Sequence, residues 1–417
     1  MVKFLIIFLL PFIITKEKEF SLTDSILQWA SKHNITISSK LTPEFLSVNH
    51  KKFRANSDIT INETILSIPF DSIITPSKLL SLSTKKLKEI YTNMKTNNET
   101  KKIFRTASTQ EQTFMALAHY ISMTTKKSKK IKNEYGAYYD SYQDNIDSYP
   151  ITFSEEELNL LTKTNLGFMI SQAKAALNSE LEYIRTNFNI SSFIPEEFLR
   201  YRLLTVSKSY NIKNISSIVP LADFFPLALD DSIANVKWIY NDTTNIFSIF
   251  AIRPIKKEEV LKMKAVTMPN ANYLLYYGVT FANNNYIQPM RMAVIHPRWK
   301  QSDNLTMTLP AVEFDLSDEG FIGASIESYR ELGLRRYNMN NNDDTGYQLM
   351  LKNLMYYQED YDSIKEKDFY DVVLLNENRI NIRRVVDLEK LLLSNRIRLL
   401  KEIIDDREKE RKKKKDL

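Results

Sequence analysis

The sequence predicts an α+β protein in which a strand-rich region is interrupted by a long helical stretch and followed by a mainly helical C-terminal part. Three observations carry this. Short β-branched runs between turn residues continue to about residue 95, apolar residues take helical spacing from about 100 to 205, and strand-like runs return between 206 and 300. At 417 residues the chain exceeds what one core usually fills, so two units are expected. Hydrophobic residues are 43% of the chain and charged residues 26%, which is a globular rather than a disordered composition.

In chain order, Lys3 precedes the apolar run Phe4 to Ile14, a charged start followed by a segment too short to span a bilayer comfortably. This is the layout of a signal peptide over residues 1–15, with membrane attachment expected only if the leader stays uncleaved. Between 20 and 95, Ile59, Ile61, Ile65, Ile68 and Ile73 read as sheet edges and hairpins. Phe114, Leu117, Ala118 and Ile121 mark a helix, and Leu158, Leu161, Phe168 and Ile170 mark helical packing more loosely. Glu155, Glu156 and Glu157 sit at a helix start, where carboxylates suit the dipole.

Ile246 to Ile252 is a strand run just after Asn241 and Asp242. Met268 to Gly278 reads as a short helix, with Asn270 as its N-cap, Ala271, Leu274 and Leu275 on one face, and Gly278 in the left-handed position that ends it. Met307, Leu309, Val312 and Phe314 look strand-like, Asn338 to Asp344 forms a polar loop, and helices follow. The final helix carries a stripe of Val385, Leu388, Leu392, Leu399 and Ile403, with Arg396, Arg398 and Lys401 near its end. A basic tail occupies 405–417.

The net charge of +6 lies largely in Arg407 to Lys415, a solvated helix end, and no nucleic-acid module is visible. With no cysteine the chain can form no disulfide and no thiolate zinc site. His33, His50, His119 and His296 lack metal-ligand spacing, so no metal is expected. No phosphate loop, dinucleotide fingerprint or nucleophile elbow is present. Sequons stand at Asn34, Asn62, Asn98, Asn189, Asn214, Asn241 and Asn304. The last four residues, Lys414 to Leu417, resemble an endoplasmic-reticulum retrieval signal with Lys415 in place of the usual acidic residue, or a basic helix end finishing in Asp-Leu. The expected location is the secretory pathway, in the endoplasmic-reticulum lumen or secreted.

Several segments resemble, in order, the signature of one enzyme family. Arg54 to Ile59 with Glu63 to Pro69 is similar to its opening strand pair, and Tyr135 to Tyr139 with Phe153 to Leu158 to its helical segment. Phe198 to Tyr210, Val219 to Asp223, and Met268 to Val279 followed by Asn283, Asn284 and Asn285 complete the series. Over residues 45 to 290 the chain thus resembles the SET-domain protein methyltransferases of the Rubisco large-subunit methyltransferase and actin-histidine methyltransferase branch. The resemblance implies a SET domain over 20–300 with a helical insertion at about 100–205. It also implies a helical domain over 305–410, similar to the part of the family that grips protein substrates.

Methyl transfer from S-adenosyl-L-methionine needs a neutral nucleophile, a positioned donor and oxygen dipoles around the moving methyl. By resemblance, the cofactor contacts of this chain fall on Arg54, Lys208, Asp223, Asn270 and Tyr277. Read from the residues alone, Asn270 is a helix cap and Tyr277 a core residue.

The family's other devices are replaced. His50, Lys51 and Lys52 stand at the Gly-x-Gly turn, and the first of only seven glycines is Gly136. Phe224, Phe225, Pro226 and Leu227 follow Asp223 where an Asn-His pair belongs; Pro226 offers neither a side-chain amide nor a backbone donor. Ala265 and Val266 stand at the family's Tyr-Gly, and Lys208 replaces an Arg. No catalytic residue is therefore assigned. Two functions follow: a catalytically degenerate SET domain that binds a protein or peptide partner, or an active S-adenosylmethionine-dependent protein-lysine or protein-histidine methyltransferase.

Overall fold

A computed structural model describes residues 23–45, 51–104, 106–124, 129–141, 146–188, 193–284, 286, 290–293, 313–317, 320–321, 329–333, 343–373 and 376–415. The chain divides into two compact units, one built from the chain up to Ile146 and Ala176–Thr267, the other from Asp147–Ala175 and the chain from Met268 onward.

The first unit begins with helix α1 (23–32) and strands β1 (Thr36–Ile37), β2 (Leu41–Phe45), β3 (Lys51–Ala55) and β4 (Thr64–Pro69). Helices α2 (Pro76–Leu82), α3 (Lys85–Thr96), α4 (Asn98–Ile103), α5 (Ala107–Thr124) and α6 (Lys129–Asp140) follow. α2 starts cleanly because Pro76 tolerates the first helical position and the Thr75 hydroxyl accepts from the Lys78 amide. α5 is helical as the spacing of Phe114, Leu117, Ala118 and Ile121 predicts, and it is buried well beyond that one face, Gln110, Glu111, Thr113, His119 and Ser122 included.

The sheet that closes the unit uses strands far apart in the chain. β8 (Val236–Asn241), β9 (Ile246–Ala251), β7 (Leu227–Ala228) and β10 (Met263–Lys264) join β1 and β4 in the order β1-β4-β9-β8-β10-β7. β9 pairs antiparallel with β4 on one side and β8 on the other, whereas β10 runs parallel to β8 and β7. Alternation along β9 turns Phe247, Ile249 and Ala251 inward. The pairs β2-β3 and β5-β6 (Ser209–Ile212 and Ile215–Ile218) form two separate hairpins. Of the isoleucines read as sheet positions, Ile59, Ile65, Ile68 and Ile73 are buried, but Ile61 lies in a turn and is exposed.

The second unit contains α7 (Glu155–Leu161), the first turns of α8 (Asn165–Phe188) and α10 (Asn270–Tyr277). It continues with strands β11 (Met290–Ala293), β12 (Glu313–Ser317) and β13 (Gly320–Phe321), and helices α11 (Asp343–Ser363), α12 (Glu366–Val372) and α13 (Asn376–Lys415). The remaining long helix of the first unit is α9 (Pro195–Ser207). α7 opens with a capping box: the Ser154 hydroxyl takes the Glu157 amide while the Glu157 carboxylate takes the Ser154 amide. Phe168, expected to pack inward, is exposed, whereas Leu161 and Ile170 are buried.

Four further expectations in this unit are corrected. The N-cap of α10 is Pro269, not Asn270, which is already the first helical residue. Asp343 and Asp344 belong to α11 rather than to a loop, because acidic residues suit a helix start; residues 338–342 lie outside the described residues. The buried stripe of α13 runs through Ile382, Val385, Val386, Leu392, Leu393, Ile397 and Leu400, while Leu388, Leu399 and Ile403 are half-buried. Since α13 continues to Lys415, Arg396 and Arg398 stand mid-helix and gain nothing from its C-terminal dipole. Phe314 lies in β12 as expected; Met307, Leu309 and Val312 lie outside the described residues.

Candidate functional site

In the first unit Lys51, Lys208 and Tyr138 gather on Asp223. β3 alternates, with Lys51, Phe53 and Ala55 turned inward and Lys52 and Arg54 less buried. The short 3-10 turn Ala222–Phe224 carries Asp223, and the residue before it, Leu221, is buried with φ of 66°, a left-handed conformation unusual for a branched aliphatic side chain. Lys208 caps the C-terminal end of α9.

These three elements bring two ammonium groups to one carboxylate. Lys51 Nζ lies 2.7 Å and Lys208 Nζ 3.1 Å from Asp223 Oδ2, with all three side chains less than 10% exposed. Tyr138 donates its hydroxyl to Asp223 Oδ1 at 3.2 Å, and Lys51 Nζ also donates to the Ser141 carbonyl at 3.1 Å. Phe53 packs against Phe224 and Phe225 at 5.4 and 5.1 Å between ring centres, and Lys51 Nζ lies 5.3 Å from the Phe224 ring. Burial alone raises the Asp223 pKa, but Lys208 and Lys51 outweigh it and hold the carboxyl below the usual carboxylate range. A carboxylate stabilised in this way is a poor proton acceptor, so general-base chemistry at Asp223 is disfavoured.

Arg54 is not part of this cluster. Its guanidinium forks onto Glu44, with Nε 2.6 Å from Oε1 and Nη2 3.3 Å from Oε2, and it also donates to the Glu258 carbonyl. It therefore serves the β2-β3 hairpin on the opposite side from Lys51. Pro226 is exposed and its carbonyl accepts from the Met263 amide at 2.8 Å. Ala265 is buried and bonded through its amide to the Ala228 carbonyl, while Val266 is 69% exposed.

In the second unit the other two residues have separate roles. The Asn270 carboxamide is buried and clasps one backbone residue from both sides: Oδ1 accepts from the Phe281 amide at 2.9 Å and Nδ2 donates to the Phe281 carbonyl at 3.0 Å. Asn284 Nδ2 donates to the same Oδ1 at 3.2 Å and to the Met268 carbonyl at 2.8 Å. The two halves of the Asn-rich signature thus meet as a clasp. Gly278 makes the return possible, since its φ of 69° is left-handed and a Cβ there would collide with Ser148. Tyr277 is half-buried and packs against Tyr273 at 5.8 Å; burial raises the pKa of both phenols, that of Tyr273 to about 12. Replacing Asn270 with Ala is expected to destabilise the second unit by roughly 2–4 kcal/mol, because two backbone groups and Asn284 lose buried partners. Faster amide exchange at Phe281 would check this; unchanged protection would refute the clasp.

Sequence reasoning missed Lys51 and Tyr138 as site residues. Lys51 was within reach, since it stands two residues before Phe53 and four before Ala55 on one strand face, whereas Tyr138 meets Asp223 only through tertiary folding. Among the described residues, no cluster of three His, Asp or Glu side chains could hold a metal ion, and no helix is long and apolar enough to cross a membrane.

A sheet of distant strands, a helical segment between β4 and β5, and helices after the last strands define a SET-domain fold of the Rubisco LSMT type. The chain is similar in structure to the SET domain of LSMT bound to lysine and AdoHcy, with a TM-score of 0.64 and 13% identity over 92% of this chain and 91% of that one. It is similar to Rubisco LSMT bound to AdoMet, with a TM-score of 0.64 and 13% identity over 92% of each chain. The complex of Rubisco LSMT with sinefungin and monomethyllysine gives a TM-score of 0.63 and 14% identity over 91% of this chain and 92% of that one. No family profile and no curated protein matches the chain.

Proposed function

We propose that this chain is a SET-fold protein-binding module of the secretory pathway that has given up methyl transfer. The observation that carries this reading is the pairing at Asp223. Lys208, the cation that by resemblance would meet the cofactor's carboxylate, is engaged with Asp223 together with Lys51, which stands where the glycine turn belongs. The residues present do not fit S-adenosylmethionine. Pro226 brings no donor, Ala265 no hydroxyl, and the β3 segment no glycine for close backbone approach. A hydrogen bond to a charged group contributes roughly 1.5–3 kcal/mol, so losing several weakens cofactor binding by orders of magnitude. By resemblance, the family's substrate-gripping surface and helical C-terminal part then serve a protein or peptide partner. The leader that supports secretory routing lies outside the described residues.

Calorimetric titration of the purified chain with S-adenosylhomocysteine tests this. No heat up to millimolar ligand is expected. Micromolar binding would overturn the module and favour the second reading, an active protein-lysine or protein-histidine methyltransferase. That alternative draws its support from the similar structures, which hold AdoMet, AdoHcy, lysine and monomethyllysine over nearly the full length aligned with this chain.

A further inference from the structure

Among the described residues, no sequon asparagine contacts the cluster at Asp223. Asn189 and Asn304 lie outside the described residues, as does the side chain of Asn98. The other four, Asn34, Asn62, Asn214 and Asn241, are all exposed, and each stands at a turn next to a strand. Asn34 lies between α1 and β1, Asn62 just before β4, Asn214 in the β5-β6 turn, and Asn241 at the end of β8. The first three have φ of 55°, 65° and 61°, left-handed values that Asn tolerates better than most residues. Asn241 is held differently: its Oδ1 accepts from the Thr243 amide at 2.9 Å and the Thr244 amide at 3.1 Å, which fixes the carboxamide oxygen toward the turn.

The hydroxyl two residues on separates these four. Thr36, Thr64 and Thr243 are exposed. Ser216 is buried, its hydroxyl 2.6 Å from that of Ser108 and its amide bonded to Glu111. A transferase that acts after these hairpins have folded, and must reach both the amide and the hydroxyl, finds three complete triplets and one whose second half is sealed.

We propose that Asn34, Asn62 and Asn241 carry N-linked glycans and that Asn214 does not, an inference resting on the secretory routing proposed above. In the reaction Asn Nδ2 bonds to the anomeric carbon of a lipid-diphosphate-linked oligosaccharide. The carbon–oxygen bond to the diphosphate breaks, the lipid diphosphate leaves with that electron pair, and the amide gives up one proton. The sugar at Asn34 would cover β1, which among the described residues is an edge strand of the main sheet.

The test is expression of the full chain, with its own first residues, in a cell that glycosylates secretory proteins. Release of glycans by an amidase in heavy-oxygen water marks each formerly occupied Asn as labelled Asp, read by peptide mass mapping. Label is expected at 34, 62 and 241 in most molecules and at 214 in few. Asn62→Gln, and separately Thr64→Ala with Asn62 intact, each remove one glycan's mass; Asn241→Gln and Thr243→Ala do the same. A protease-protected chain without label at the three sites, or with equal label at 214, overturns the assignment while leaving the routing intact. A chain fully open to protease in the cytosol overturns both, and neither result bears on S-adenosylhomocysteine binding.

Discussion

Asp223→Asn is expected to destabilise the first unit by roughly 3–5 kcal/mol, the usual cost of removing one partner from a buried ion cluster. The loss has a specific origin. Lys51 and Lys208 both approach Asp223 Oδ2, so a neutral amide leaves two ammonium groups facing each other in a place where water screens them poorly. The Tyr138 hydroxyl keeps an acceptor in the Asn variant, so its bond is not what the experiment reads. Replacing the whole cluster with apolar side chains, as Lys51→Met, Lys208→Met and Asp223→Leu together, should recover most of the loss, since the desolvation cost of all three charges disappears with them. Urea denaturation followed by a probe in the first unit measures both variants. A loss below about 1 kcal/mol for Asp223→Asn would show that the carboxylate does not hold the cluster together. Because the Asp223 pKa is lowered in the folded chain, its contribution is present above the ordinary aspartate value of 3.8 and lost as pH falls toward the depressed value.

The second large effect concerns Glu389, which runs the other way. This glutamate interrupts the buried stripe of α13, accepts from the Tyr361 hydroxyl at 2.7 Å and the Asn165 carboxamide at 3.3 Å, and faces the amides that open α8. Burial pushes its pKa from 4.5 up to about 7, against the lowering pull of Tyr361, Asn165 and the backbone amides of Leu166 and Asn165. The folded state therefore holds the proton more tightly than the unfolded state between those values. Its contribution is fully present below pH 4.5 and is lost as pH rises through about 7, a change of roughly 3 kcal/mol. Glu389→Gln keeps an acceptor for Tyr361 and removes the titration. The fall in stability between pH 5 and pH 8 should be smaller in the variant by about 2.5 kcal/mol, with the variant more stable than the parent at pH 8. Equal pH dependence in both chains would show that Glu389 is not the titrating group. Hydrogen exchange at the first amides of α8 localises the effect, since Asn165 donates its own amide to Tyr361 at 2.8 Å.

Elements with a strong local signal were legible in the sequence. The strand run at Ile246 to Ile252, the helix through Phe114, Leu117, Ala118 and Ile121, and the helix start at Glu155 to Glu157 follow from spacing and residue type alone. Competition between neighbours defeated other readings. Asn270 is a good cap by type, but Pro269 takes the cap position, and the Asn side chain is then available for Phe281. The stripe on α13 shifted because Glu389 and Arg396, which a polarity pattern places outside, are buried within it. Within the candidate site, Lys208 and Asp223 were singled out and do meet, whereas Arg54 was carried along by motif order and turns to Glu44. Tyr138 had no sequence signal, because its meeting with Asp223 spans 85 residues.

The main sheet also sets a timetable for biosynthesis. β4 emerges early from the ribosome and can pair with β1, yet its other neighbour β9 is made only after the whole helical segment, so β4 must wait for its second hydrogen-bonding partner. At roughly 5–20 residues per second that delay lasts many seconds, during which an isoleucine-rich strand stays open to stray pairing. Nascent chains of this protein should therefore depend on holding chaperones until the end of β9 has cleared the exit tunnel.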